Sequence, residues 1–119
     1  MSGIDLNVYN PTIQEYKGFK YFMVKHAYWT CGYILIDLDL FQKLKLRYYK
    51  NVTNHAYGFI SWVSDAKLDK PIKTQKENEI FFGIGDKRFE EFEHGEIPNK
   101  QETESIIKEW IDWIVNARS

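Results

Sequence analysis

Hydrophobic and polar positions along the chain divide it into ring-rich runs separated by polar breaks. Lys17–His26 (KGFKYFMVKH) alternates in part and predicts a first strand. After a short turn at 27–29, Cys31–Ile36 (CGYILI) predicts a second strand, antiparallel to the first. Tyr57–Val63 and Glu79–Ile84 predict two more. Near the C-terminus, Ile106, Ile107, Trp110, Ile111, Trp113 and Ile114 recur at helical spacing, while Glu104, Lys108, Glu109, Asp112 and Asn116 take the opposite side. Asn99 can cap that helix, with Glu102 closing a capping box. Two tryptophans on one apolar stripe call for a sheet to pack against. The fold class is therefore α+β, an antiparallel sheet of about four strands with a C-terminal amphipathic helix on one face.

The connecting segments are less regular. Residues 1–16 read as irregular, with Asn10-Pro11 as a breaker. Over 37–50, Leu40, Phe41, Leu44 and Tyr48 fit a helical face, whereas Lys43, Lys45 and Arg47 alternate with leucines as in a strand. The balance favours a short helix from Leu38 to about Leu46, capped by Asp37 or Asp39. Ser64–Asn78 is polar, broken at Pro71 and too long for a tight hairpin, so a long loop is expected.

Composition narrows the class. A single domain spans the 119 residues, with 17% aromatic residues to build its core. A formal charge of −1 removes bulk attraction to nucleic acid or membrane as a default and leaves only local patches. One cysteine, Cys31, forbids an intrachain disulfide. No signal peptide is visible at Met1–Asp5, and no apolar run approaches the ~20 residues that span a bilayer. A cytoplasmic protein with no membrane partner is the expectation.

Candidate chemistry centres on two glycine-bearing stretches, Tyr28–Ile34 and its expected partner strand Tyr57–Val63. Glycine admits close approach of a ligand or backbone, and flat rings offer stacking. The expected ligand-binding residues are Tyr28, Trp29, Cys31, Tyr33, His55, Tyr57, Ser61 and Trp62. Lys87 and Arg88 follow the Gly83-Ile84-Gly85 strand end as anion contacts, although neither GxGxxG nor GxxxxGK[ST] is complete. Cys31 with His26 or His55 would suit nucleophilic catalysis only if the fold joined them. His26, Cys31, His55 and His94 lack metal-ligand spacing, so neither a metal nor a cofactor is expected. Lys43, Lys45, Arg47, Tyr48, Tyr49 and Lys50 mix cations with rings, as in stacking plus phosphate contact, although such a run is more often a solvated face whose stems cover core. Glu90–Glu96 is a second charged run, acidic.

The order Gly18-Phe19, Cys31-Gly32-Tyr33-Ile34, Gly58-x-Ile60-Ser61-Trp62, Ile80-Phe81-Phe82-Gly83 and a closing amphipathic helix resembles a family of small phage- and prophage-encoded proteins. Its pattern runs G-H-x-C-G-Y-V, H-G-G-x-T-Y, W-W-x-G-F-D, then a helix. The family's first histidine falls on Tyr28 or Trp29, and that of H-G-G on Tyr57. Rings, glycines and the cysteine are kept better than ionisable groups, which leans away from an enzyme and towards a binding surface. The resemblance implies a phage-type protein that counteracts host defence by sequestering a nucleotide-like small molecule. The alternatives are an inhibitor, alone or as a homodimer, that binds a host defence protein through an aromatic or acidic surface, and a small hydrolase dependent on Cys31 or His55.

Overall fold

A computed structural model describes residues 12–25, 30–55, 58–64, 78–84 and 100–118. It is α+β: one antiparallel five-stranded sheet with a long C-terminal helix against one face. The strands are β1 (Gln14–Tyr16), β2 (Phe19–Lys25), β3 (Thr30–Asp37), β4 (Ile60–Val63) and β5 (Glu79–Ile84). Helix α1 (Leu38–Lys43) follows β3, and α2 spans Lys100–Ala117. Across the sheet the order is β1-β2-β3-β5-β4.

The segment expected to be irregular supplies β1. Tyr16 pairs with Phe19 across a two-residue turn, in which Lys17 and Gly18 both have positive φ. That geometry belongs to the tight hairpin turn whose twist matches its strands. Lys17 is thus turn rather than strand, and the sheet gains a fifth member.

The two glycine-bearing stretches are not partners. β3 pairs with β2 and β5, and β4 pairs only with β5, so a whole strand separates them. The reason lies in β5: its apolar run Ile80–Ile84 is buried on both sides, as suits an interior strand. The short β4 takes the edge. Its strand begins at Ile60, three residues later than expected.

α2 buries Ile106, Ile107, Trp110, Ile111 and Ile114 against Phe19, Tyr21, Ile34, Ile36, Ile60, Phe82 and Ile84. Each such side chain contributes about 1.5–3 kcal/mol by leaving water. Gly32 is what lets the helix come close, since a Cβ there would stand 2.6 Å from Ile107 Cδ1. Beside it, the Thr103 hydroxyl donates to the Thr30 carbonyl at 2.7 Å. The opposite face of the sheet carries Phe22, Val24, Cys31, Tyr33, Leu35 and Phe81, all buried.

α1 is shorter than expected. The Asp37 carboxylate caps it by accepting from Asp39 N at 2.8 Å. It stops at Lys43, because Lys45 enters the left-handed region (φ 57°). Lys45 N then donates to Gln42 O and Leu46 N to Phe41 O. This pair of bonds is the Schellman termination, here with lysine where glycine is usual. Leu46 folds back into the core.

Candidate ligand-binding surface

Five of the ten expected binding residues are described, and they do not converge. Tyr28, Trp29, Tyr57, Lys87 and Arg88 lie outside the described residues, as do the acidic run 90–96 and the Asn99 cap. Cys31 and Tyr33 are 1% and 2% exposed on the face away from α2. Ser61 is buried too, and Trp62 is half-buried.

The local reason is a β-bulge. Ile60 pairs with Ile84, yet Trp62 rather than Ser61 meets Gly83, so Ser61 is an extra residue. Its hydroxyl donates to the Gly83 carbonyl at 3.2 Å. The insertion turns Trp62 onto the face of Tyr33 and Phe81, with ring centroids 6.1 and 5.0 Å away. Tyr33 and Trp62 both lie close over Gly83: an added Cβ would lie 2.8 Å from Tyr33 Cε1 and 3.4 Å from Trp62 Cβ. Glycine does admit a close approach here, but what approaches is the chain's own tyrosine. Rings over a strand glycine stabilise a sheet. A buried Tyr33 has no face to offer a ligand.

His55 belongs to another region. Its Nε2 lies 2.5 Å from Glu109 Oε2 on α2. Cys31 points to the opposite face of the sheet, so the Cys31–His55 pair a hydrolase would need is not formed. Among the described residues, no group of three or more His, Cys, Asp or Glu side chains stands where it could hold a metal ion.

Among the described residues, the segment that presents rings to solvent runs from Lys43 to Lys50. Tyr48 and Tyr49 are 51% and 69% exposed, the large hydrophobic side chains left in solvent among the described residues. Lys43, Lys45 and Arg47 are exposed beside them, and Lys50 is half-buried. The Arg47 guanidinium donates once to the Lys45 carbonyl at 3.1 Å, and it has further donors to give. Residues 40–54 contain no acidic side chain, in a chain whose overall charge is −1.

This segment is anchored rather than loose. Tyr49, at φ 68°, donates its N–H to Ile60 O at 2.8 Å, and Ile60 N returns a bond to Lys50 O at 3.0 Å. The Tyr49 ring stacks on buried Phe59, centroids 6.1 Å apart and planes 26° apart. Lys50 Nζ sits 5.6 Å above the Trp113 ring of α2.

The following turn is equally tied. Asn51 Oδ1 accepts from Thr53 N and Thr53 Oγ1, while Asn51 Nδ2 donates to His55 O at 2.7 Å. Gly58 closes the turn: a Cβ would fall 2.0 Å from Thr53 Oγ1. Its carbonyl accepts from the buried Trp110 Nε1 at 2.7 Å. Two backbone positions outside the usual region, at Lys45 and Tyr49, stand on either side of Arg47. Strain of this kind persists only where surrounding contacts over-determine it.

The sequence singled out this cluster as one with two readings but did not rank it as the site. A finer signal was available in the run of cations, rings and no acid. No helix among the described residues is long and apolar enough to cross a membrane. Compared with protein-family models, with curated proteins and with solved structures, the chain matches none of them.

Proposed function

We propose that this is a non-enzymatic binding protein for a flat, anionic, nucleotide-like ligand, held on the Tyr48–Tyr49 surface. The observation that carries the reading is the joint exposure of two adjacent tyrosines within a segment of cations that is pinned to the sheet and to α2. Stacking on Tyr48 or Tyr49 would supply the contact to the planar part, and Arg47, Lys45 and Lys43 the contact to the anion. A pinned segment loses little conformational entropy when the ligand arrives, which favours affinity. In a phage setting of the kind the motif order resembles, such a protein would counteract host defence by removing a nucleotide signal.

Thermal denaturation in the presence of ATP, GTP, AMP and a cyclic dinucleotide tests this. A ligand at 100 times its Kd stabilises the fold by about 2.7 kcal/mol. For a domain of this size, that is a rise in Tm of roughly 10 °C. The rise is expected to survive Trp62→Ala and to vanish in Tyr49→Ala. Silence across the whole panel and towards a single-stranded oligonucleotide, or loss of the rise in Trp62→Ala alone, rejects the reading.

A further inference from the structure

Resting on the binding reading above, we infer that the occupant is single-stranded nucleic acid, engaged through at least two successive bases, rather than a free mononucleotide. The geometry of the two rings makes the distinction. Their centroids are 6.4 Å apart, but their planes are inclined by 51°. One base held between two rings needs parallel faces about two stacking steps apart, each step being about 3.4 Å. The separation is near that value and the tilt forbids it. Tyr48 and Tyr49 are therefore two platforms, not one clamp.

One side of Tyr49 is already taken by Phe59, leaving its other face to a base. Tyr48 presents a second platform one residue away, at an angle that suits a strand bending between contacts. Stacking of successive bases on neighbouring rings is how proteins hold single strands without reading sequence.

Charge points the same way. Lys43, Lys45 and Arg47 are exposed on this one segment, with Lys50 behind them, more cations than a single phosphate engages. The excess of acid lies in the remainder of the chain, which repels a polyanion and confines it to this patch. Duplex is disfavoured, because its base faces are stacked on one another and unavailable to the tyrosines.

The experiment is fluorescence anisotropy with a fluorescein-labelled single-stranded dT12, titrated with the full chain at 50 to 200 mM salt. Unlabelled thymidine monophosphate and a 12-base-pair duplex serve as competitors. The expected result is binding of dT12 with a log–log salt slope of about −2, the signature of roughly three phosphate contacts. Tyr48→Ala and Tyr49→Ala should each weaken it about tenfold, within the range for one stacked base. Trp62→Ala should leave it unchanged.

If the monophosphate displaces dT12 at concentrations comparable to the dT12 Kd, the strand inference falls and the nucleotide reading stands. If the duplex competes as well as the single strand, the stacking argument falls. If neither dT12 nor the monophosphate binds, and the nucleotide panel is also silent, both proposals fall together.

Discussion

Tyr33 and Tyr49 are both tyrosines packed in ring clusters, and they have opposite uses. Tyr33 lies on β3 over Gly83, enclosed by Phe22 at 4.9 Å, Phe81 at 6.0 Å and Trp62 at 6.1 Å. Tyr49 touches Phe59 on one side and solvent on the other. The difference comes from backbone, not residue type. A strand in mid-sheet repeats its direction every second residue, so its rings are stacked against neighbours on a buried face. A residue at φ 68° breaks that repeat and throws its ring outward. For these two rings the backbone decides exposure: Tyr33 keeps the sheet's period and Tyr49 leaves it.

The largest expected effect is the sharpest test of this contrast. Tyr33→Ala removes a buried ring and uncovers Gly83, for a cost of about 3 kcal/mol or more. Tyr48→Ala removes an exposed ring and should stay within about 0.5 kcal/mol. Urea unfolding of the two variants measures both. A neutral Tyr33→Ala, or a Tyr48→Ala that loses 2 kcal/mol, would show that the two regions are not what they are described to be.

The same contrast explains what was legible in the sequence. The β2–β3 pairing, β5 and the long helix were readable because their apolar periods are continuous and long. An aspartate cap for α1 was readable, as Asp37 or Asp39, and the structure assigns it to Asp37. Besides β1 and its turn at Lys17, three things were not. The order of β4 and β5 depends on competition between strands for the interior, which no single stretch records. The turn of Trp62 onto the far face depends on Ser61 being an extra residue in the ladder, and a serine between Ile60 and Trp62 carries no mark of that. The α1 termination at Lys45 lacks the glycine that announces such a stop, so the pattern ran on to Leu46. For the site, the ring-and-cation composition of 43–50 was visible, but exposure was not, because the sequence holds no record of which rings a neighbouring strand will cover.

A buried ring also makes stability depend on pH, and Tyr21 is the place to look. Burial, then the hydrogen bond and negative charge of Glu104, push its hydroxyl up to about 12. An unfolded tyrosine ionises near pH 10. Between those values the folded state binds the extra proton, so stability is intact below about pH 10 and falls as pH rises towards 12. The loss is on the order of 1 kcal/mol once screening at this rim is allowed for. Tyr21→Phe should flatten most of the decline in Tm over that window. A residual slope is expected from Lys17, whose ammonium is held above its ordinary range chiefly by its hydrogen bond to Asp112. An unchanged slope in Tyr21→Phe would place the titration elsewhere.

The smallest effect reverses the usual direction and ties strain to use. Lys45 occupies the left-handed region at the end of α1, where a non-glycine residue pays about 1–2 kcal/mol. Lys45→Gly removes that penalty and returns about 0.4–1 kcal/mol to the unfolded chain as added freedom. The net is a gain of under about 1 kcal/mol, a rise of a few degrees in Tm. The side chain is exposed, so no packing is lost to offset it. The same change deletes one cation from the surface, and the dT12 salt slope should shrink by about 0.7 if Lys45 meets a phosphate. A variant that is more stable and binds less would mean that lysine stands at a glycine position for its charge. A variant that is more stable and binds equally well would leave Lys45 as ordinary strain and move the anion contact to Lys43 and Arg47.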